Sequence, residues 1–286
     1  MVISCETCGD ADPVDLPEPL RALAATPPSS SAKTSAADSK VSSTRTEAPQ
    51  DRGTASPDRG TASSRSNPSR TTRGKNGSAA QPDASCPDAS AAWVSEILAS
   101  RMAAPLETYS YALRWINVQK GLQNPRLLSS AMRPHRDWLV EHLYRPYCDR
   151  LQEALTRTIL RDGFVVHLTV RTFPLKNRSG TIRRGDLGMA YDPKNDDQKD
   201  LVLDWIDQMY DTAWMVKARR NFPRGGATDS IIHTMADRLD PRYYLGIALD
   251  FNRALVGRPN SLSREAVRRV ADALKIVLDY PAEEAA

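Results

Sequence analysis

Residues 27–90 carry almost no large apolar side chain: Ser, Thr, Ala, Pro, Gly, Arg and Asp fill the segment, and "DRGTASP" is followed at once by "DRGTASS" over 51–64. Such a composition cannot bury enough surface to offset the entropy of ordering. The segment is therefore expected to be a disordered low-complexity insert. A fold must be assembled from residues 1–26, read as a first strand and loop, together with the remainder, 91–286. With 40% hydrophobic residues in 286, the chain still has material for a sizeable core.

The insert also absorbs most of the charge imbalance. Its nine basic residues (Lys33, Lys40, Arg45, Arg52, Arg59, Arg65, Arg70, Arg73, Lys75) exceed its six acids (Asp38, Glu47, Asp51, Asp58, Asp83, Asp88) by three, against a formal net charge of +4 for the whole chain. The folded part is thus nearly neutral, which argues against a specific nucleic-acid face. No run approaches the length of a membrane span, so no membrane association is expected and a cytoplasmic protein is the expectation. Of four cysteines, Cys5 and Cys8 form a lone C-x-x-C without a second pair at metal spacing. They are read as one buried and one loop thiol in a reducing compartment.

Strand and helix patterns alternate along the folded part. "MVIS" reads as a short first strand, "AAWVSEILASRM" as a helix ended by Pro105, and "YSYALRWINV" (109–118) as a strand. The long helical pattern from "RPHRDWLVEHLYRPYCDRL" to Asp162 should break or kink at Pro146 and close at Gly163. "FVVHLTV" and "DLGMAYDP" read as strands, "DDQKDLVLDWIDQMY" as an amphipathic helix, and "AWMVKARR" as a strand. "DSIIHTMADRL" reads as a short helix, "YYLGIALDF" as a strand, and "LSREAVRRVADALKIVLDY" as a closing helix with Ser263 as its cap. The five tryptophans, Trp93, Trp115, Trp138, Trp205 and Trp214, are spread over separate elements and read as core. Alternating strands and helices predict the α/β class, a three-layer sandwich on a mixed, mainly parallel sheet. Sites in that architecture lie beyond the carboxyl ends of the strands.

Short polar motifs fall at those ends: "SCETCG" (4–9), "VRTFPL" (170–175) and "GIALDFN" (246–252), with "RRGDLGMAYDP" and "RRNFPRGGATD" between the last two. In that order, over residues 2–10 and about 88–256, they resemble the N-formylglutamate amidohydrolase family. The resemblance implies a carboxypeptidase-like (phosphorylase/hydrolase-like) fold and a zinc-dependent hydrolase acting on the C–N bond of an N-formyl amino acid. Such chemistry needs neutral imidazoles and a carboxylate on zinc, a general base, and a cation for the substrate carboxylate.

Carried over residue by residue, the family's metal-binding Glu–His pair falls on Glu6 and Thr7, and its strand-end histidine on Arg171. The carboxylate implied to act as general base falls on Ala248, with Asp250 taking the second acidic place. The arginine of the family's N-R-S motif falls on Val118, whereas Asn221, Gly225 and Asp229 keep the rim motif. A guanidinium has no lone pair to give a metal. At about 4 Å it would oppose a dication by roughly 8 kcal/mol at an effective dielectric of 20.

No resident cofactor is therefore expected, zinc included, and Arg171 is expected to fill the metal position in an ion pair with Glu6. The expected function is a catalytically degenerate amidohydrolase-like domain whose basic pocket of Arg171, Arg224 and Arg253, with Asn221 and Asp229 at the rim, takes a small anionic ligand such as a carboxylate. Two alternatives stand beside it. One is an active hydrolase with a relocated metal, built for example from His135, Glu6 and Cys8. The other is an interaction module in which the insert recruits a protein partner. Of the remaining histidines, His167 is read as a hydrogen-bonded structural imidazole, His142 as a surface or packing residue, and His233 as lacking an identifiable carboxylate partner.

Overall fold

The two longest apolar strands set the frame. β3 (Val165–Phe173) and β6 (Tyr244–Asn252) run parallel and in register over nine residues, from Val165↔Tyr244 to Phe173↔Asn252. In the computed structural model, which describes residues 1–6, 9, 11–24, 88–225 and 230–279, they form the centre of a six-stranded sheet of order β2-β1-β3-β6-β4-β5. The outer strands are β1 (Val2–Cys5), β2 (Leu106–Thr108), β4 (Leu187–Ala190) and β5 (Ala218–Arg220). β1 and β2 continue the parallel run, whereas β4 lies antiparallel to β6 and carries β5 parallel to itself. This is the expected mixed, mainly parallel sheet. The described residues belong to one compact unit, Met1–Pro27 with Pro82–Ala286. The expected insert lies outside the described residues up to 87.

Period-two alternation divides the sheet into unlike faces. Ile3, Val166, Leu168, Val170, Leu187, Met189, Ile247, Leu249 and Phe251 line one face, an unbroken apolar surface. Three helices cover it: α2 (Ala89–Met102), α5 (Asp196–Thr212) and α8 (Ser261–Asp279). Trp205 is buried among them and donates from its indole to Val270 O at 2.9 Å. The opposite face has apolar residues such as Val2, Val165, Tyr244 and Ala248 at its margins. Its centre is polar: Ser4, Glu6, His167, Thr169, Arg171 and Asp250, all buried. α4 (Arg145–Asp162) and α6 (Ile231–Ala236) pack on that side, completing the three layers; α1 (Glu18–Ala24) and α7 (Arg253–Val256) are short helices.

The helix starts show how local sequence fixes the ends. Asp88 accepts from Ala91 N and caps α2, so the helix starts slightly before residue 91. Asn195 caps α5 through Gln198 N. At α8 the cap is Asn260, not Ser263. The two form a reciprocal box, Asn260 Oδ1 accepting from Ser263 N at 2.8 Å and Ser263 Oγ from Asn260 N at 2.9 Å. Pro146 neither breaks nor removes the long helix. The pattern enters through a 3-10 turn (Arg133–His135) and α3 (Arg136–Leu139), widens to a π-helical stretch (Val140–Tyr144), and places Pro146 in the first turn of α4. Gly163, at φ 84, closes α4 in a conformation that a Cβ disfavours.

Two strand expectations fail for one reason. Residues 109–118 form an ordered loop anchored by Trp115, whose indole donates to Asp12, while Ile116 and Val118 fill the core below. Of 213–220, only Ala218–Arg220 is strand. Buried apolar runs satisfy the same pattern whether extended or looped. Trp214 also departs from the core reading, being 73% exposed. The reduced-thiol reading of Cys5 is corrected: it is buried but disulfide-bonded, whereas Cys148 is free and buried. Cys8 and Cys86 lie outside the described residues. Among the described residues, no helix is long and apolar enough to cross a membrane.

Candidate functional site

The polar residues of the sheet face converge because they occupy matching positions on neighbouring strands. Arg171 on β3 is in register with Asp250 on β6, which in turn faces Gly188 on β4. Ser4 on β1 pairs with Thr169, so Glu6, two residues on, stands beside Arg171 at the carboxyl end of the sheet. Three charged side chains thus line up across three adjacent parallel strands.

Arg171 Nη2 donates to Asp250 Oδ2 at 3.2 Å, a pair in which both side chains are almost wholly buried. From the solvent side Arg224 Nη2 approaches Asp250 Oδ1 at 3.6 Å. The expected pairing of Arg171 with Glu6 is corrected: its ion-pair partner is Asp250. Asp250 is its direct neighbour on the same face, whereas Glu6 Oε1 is taken up by other donors. Arg171 is nonetheless close enough that its charge favours ionised Glu6.

Those donors form a buried chain. Ser4 Oγ donates to Glu6 Oε1 at 2.6 Å and Tyr147 Oη donates to the same oxygen at 3.0 Å. Since the Ser4 proton is spent on Glu6, Ser4 Oγ accepts from His167 Nε2–H at 2.9 Å. His167 Nδ1 then accepts from Tyr244 Oη–H at 2.8 Å. Every bond from Tyr244 to Glu6 points the same way. Burial raises the Glu6 pKa above the usual carboxylate range, the hydrogen bonds from Ser4 and Tyr147 and the Arg171 charge opposing this. Among the described residues Glu6 Oε2, Arg171 Nε and Asp250 Oδ1 are buried without a hydrogen-bond partner, a concentration of unmet polar atoms in one place.

Arg171, Ala190, Gly246 and Ala248 form the floor of a cleft of about 110 Å³ whose walls include Tyr191, Gln198 and His233. The narrow floor follows from small residues in register, and a Cβ on Gly246 would meet Ile232 Cγ2 at 2.3 Å. Arg224 is lowered in pKa by burial, with Asp250 opposing and the like charges of Arg171 and Arg183 adding to the effect. Its guanidinium stays charged.

The other expected residues are dispersed. Arg253 turns to the opposite side of β3, donating to Thr172 Oγ1 at 2.7 Å and pairing with Asp88 at 3.2 Å, so it joins the start of α2 instead of the basic pocket. Asn221, at φ 48, accepts from Tyr191 N and donates from its own N to Met189 O, which ties the end of β5 to β4. Gly225 sits beside the cleft. Val118 is in the core. Thr7, Cys8 and Asp229 lie outside the described residues. His142 stacks on Trp138 at the surface, and His135 sits half-buried in the 3-10 turn. Sequence reasoning missed the chain through Ser4, Tyr147 and Tyr244. Polar residues two apart on otherwise apolar strands, Ser4/Glu6 and His167/Thr169/Arg171, were its available signal.

The donor set does not suit zinc. Arg171 offers no lone pair, and among the described residues no group of three or more His, Cys, Asp or Glu could hold a metal ion.

His167 gives the site a measurable pH signature. Burial pushes its pKa from 6.5 down to about 3, so it folds as the neutral imidazole. Its contribution to stability is complete above 6.5 and is lost as pH falls towards the folded value, reaching about 3 kcal/mol at pH 4.5. Glu6 acts oppositely, its contribution being complete below 4.5 and lost as pH rises through its raised folded value. The readout is therefore the difference between wild type and His167→Gln. Urea midpoints at pH 7 and 4.5 should drop less in the variant than in wild type, and equal drops would refute the assignment.

No family model matches the chain, and no curated protein matches it. Among solved structures it is similar to gene product Atu2144 from Agrobacterium tumefaciens, at 18% identity and a TM-score of 0.53, over 66% of this chain and 76% of that one. It also matches the crystal structure of N-formylglutamate amidohydrolase from Ralstonia eutropha JMP134, at 16% identity and a TM-score of 0.46, over 63% of this chain and 80% of that one. The likeness to the first is one of fold.

Proposed function

We propose that this protein is an N-formylglutamate amidohydrolase-like domain that has lost metal-dependent hydrolysis and binds a small carboxylate in the cleft. One observation carries the reading. Where the sequence resemblance puts a zinc-ligating histidine, a buried guanidinium stands, locked to Asp250 and backed by a second guanidinium, that of Arg224. Two fixed cations share one carboxylate, and burial raises the pKa of Glu6 beside them. The cleft floor carries the Arg171 guanidinium, whose Nε lacks an acceptor among the described residues. A ligand carboxylate supplies that acceptor in charge-assisted form. Ala248, at the place of the implied general base, has nothing with which to take a proton from water.

The test uses one preparation. Glutarate titrated calorimetrically should bind, and Arg224→Ala should weaken binding about tenfold, the loss of one charge-assisted contact. N-formylglutamate should bind without turnover, and elemental analysis should find zinc well below one per chain. Stoichiometric zinc with turnover abolished by Glu6→Ala would establish the active-hydrolase alternative instead.

A further inference from the structure

The cleft is lined by a cation and a carboxylate, Arg171 and Asp192. Arg171 is buried, and its Nε has no acceptor among the described residues. Asp192 is the only carboxylate among the described lining residues, and it makes no ion pair among the described residues. Lys194 N donates to its Oδ1 at 3.0 Å, which leaves Oδ2 without a hydrogen-bond partner among the described residues. The turn that carries it is held twice more, by Asp192 N donating to Gln198 Oε1 and by Asn195 N donating to Asp192 O, each at 3.0 Å. The carboxylate therefore stands on a fixed turn ahead of α5.

Strand register sets the two charges apart. Arg171 is level with Asp250 on β6 and, through it, with Gly188 on β4. Ala190 is level with Ala248, and Asp192 lies two residues beyond Ala190, so the pair is offset by about four residues, roughly 13 Å, along the sheet. The Arg171 side chain is spent reaching sideways to Asp250, so it does not close that offset. An ammonium and a carboxylate carried on one carbon are too close together to meet both groups. Between the two the lining is apolar, with Ala190, Ile232, Ala236 and Ala248. At about 110 Å³ the cleft is well below the roughly 300 Å³ at which pockets begin to hold drug-sized ligands, so it suits a chain of a few carbons.

We propose that the cleft binds a small ω-amino carboxylate, with the ligand carboxylate on Arg171, the alkyl spacer against Ala190, Ile232 and Ala248, and the ammonium on Asp192. The inference rests on the anion-site reading and names the residue that chooses among anions. A plain carboxylate satisfies Arg171 and leaves Asp192 without a partner. A dicarboxylate of the same length brings a second negative charge towards Asp192. An ammonium in that place donates to Asp192 Oδ2 in charge-assisted form, and the methylenes between leave no polar group buried against the apolar wall. Asp192 is half-buried, so the ion pair is screened less than one at an open surface.

Calorimetric titration at pH 7 with 4-aminobutyrate, butyrate and glutarate tests this, because the three share one chain and differ only in carrying an ammonium, a hydrogen or a carboxylate at its far end. Wild type should bind 4-aminobutyrate about tenfold more tightly than butyrate, and more tightly than glutarate. The isomer 2-aminobutyrate, whose amine cannot reach Asp192, should bind no better than butyrate. Asp192→Asn keeps an oxygen for Lys194 N and should bind 4-aminobutyrate and butyrate alike, its butyrate affinity showing that the variant is folded. Asp192→Lys should reverse the order and favour glutarate. The wild-type comparison stands whether or not either variant folds. Butyrate and glutarate binding to wild type with no gain for 4-aminobutyrate would overturn the inference and leave the anion site standing. So would 2-aminobutyrate matching 4-aminobutyrate, or a preference for 4-aminobutyrate that survives in Asp192→Asn. No binding of any of the four ligands to wild type would overturn the anion-site reading and this inference with it.

Discussion

Asp250→Ala should lower the unfolding free energy by about 3–5 kcal/mol, the cost of leaving a buried charge without its partner. Asp250 is fully buried and serves two guanidiniums, Arg171 at 3.2 Å and Arg224 at 3.6 Å. Arg224 is partly exposed and can turn to water, but Arg171 cannot, because its side chain is 8% accessible. The cost therefore lies in stranding Arg171. Removing that cation as well, in Arg171→Met with Asp250→Ala, should recover most of the loss, since an apolar pair in that place has no charge to desolvate. Urea denaturation of wild type, the single variant and the double variant measures both steps. An added anion gives a second readout, because glutarate should raise the thermal midpoint of Asp250→Ala more than that of wild type. A single variant as stable as wild type would show that Arg171 reaches solvent.

Gly188→Ala should be at least as damaging, with a loss above about 3 kcal/mol, beyond the usual range for overpacking. A Cβ there would lie 1.6 Å from Phe222 O and 2.6 Å from Phe222 C, and both atoms are backbone. Neither side can yield cheaply: Gly188 is held in β4 between β6 and β5, while Asn221, next to Phe222, is bonded to Met189 and Tyr191. The glycine matters to the site because it faces Asp250 across the ladder. Its bare backbone lets the Phe222–Pro223 segment cross the sheet face and bring Arg224 within reach of Asp250. The variant should thus lose glutarate binding as well as stability. Gly185→Ala is the control, since its tightest neighbour, at 3.0 Å, is the ring edge of Phe222, a side chain that can shift. It should cost less than about 1 kcal/mol. Equal stability of the two variants would mean that the β5 end does not lie on β4 as described.

What could be read ahead of the structure divides along physical lines. The period-two pattern of "FVVHLTVRTF" and "GIALDFN" located β3 and β6 and placed Arg171 and Asp250 at strand ends, because alternation is a local property of a half-polar strand. Helices α5 and α8 were legible for the equivalent reason. The loop at 109–118 was not, since Trp115, Ile116 and Val118 are as buried there as they would be in a strand. Ser263 was expected to cap that helix start, but the reciprocal bond that makes Asn260 the cap depends on two residues, three apart, acting together.

The site shows the same division at closer range. The resemblance supplied the expectation that a guanidinium stands where the family has an imidazole, and that Arg171 has no lone pair for a metal follows from the side chain wherever it lies. Which carboxylate holds Arg171 came only from the fold. Glu6 and Asp250 flank it on either side, and strand register with the prior commitment of Glu6 Oε1 to Ser4 and Tyr147 selects Asp250. Tertiary structure likewise turned Arg253 away and joined Tyr244, His167 and Ser4 into one directed chain. Chemical type is written in a single residue, whereas pairing is a competition among neighbours brought together from distant parts of the chain, and that competition is decided only when the sheet closes.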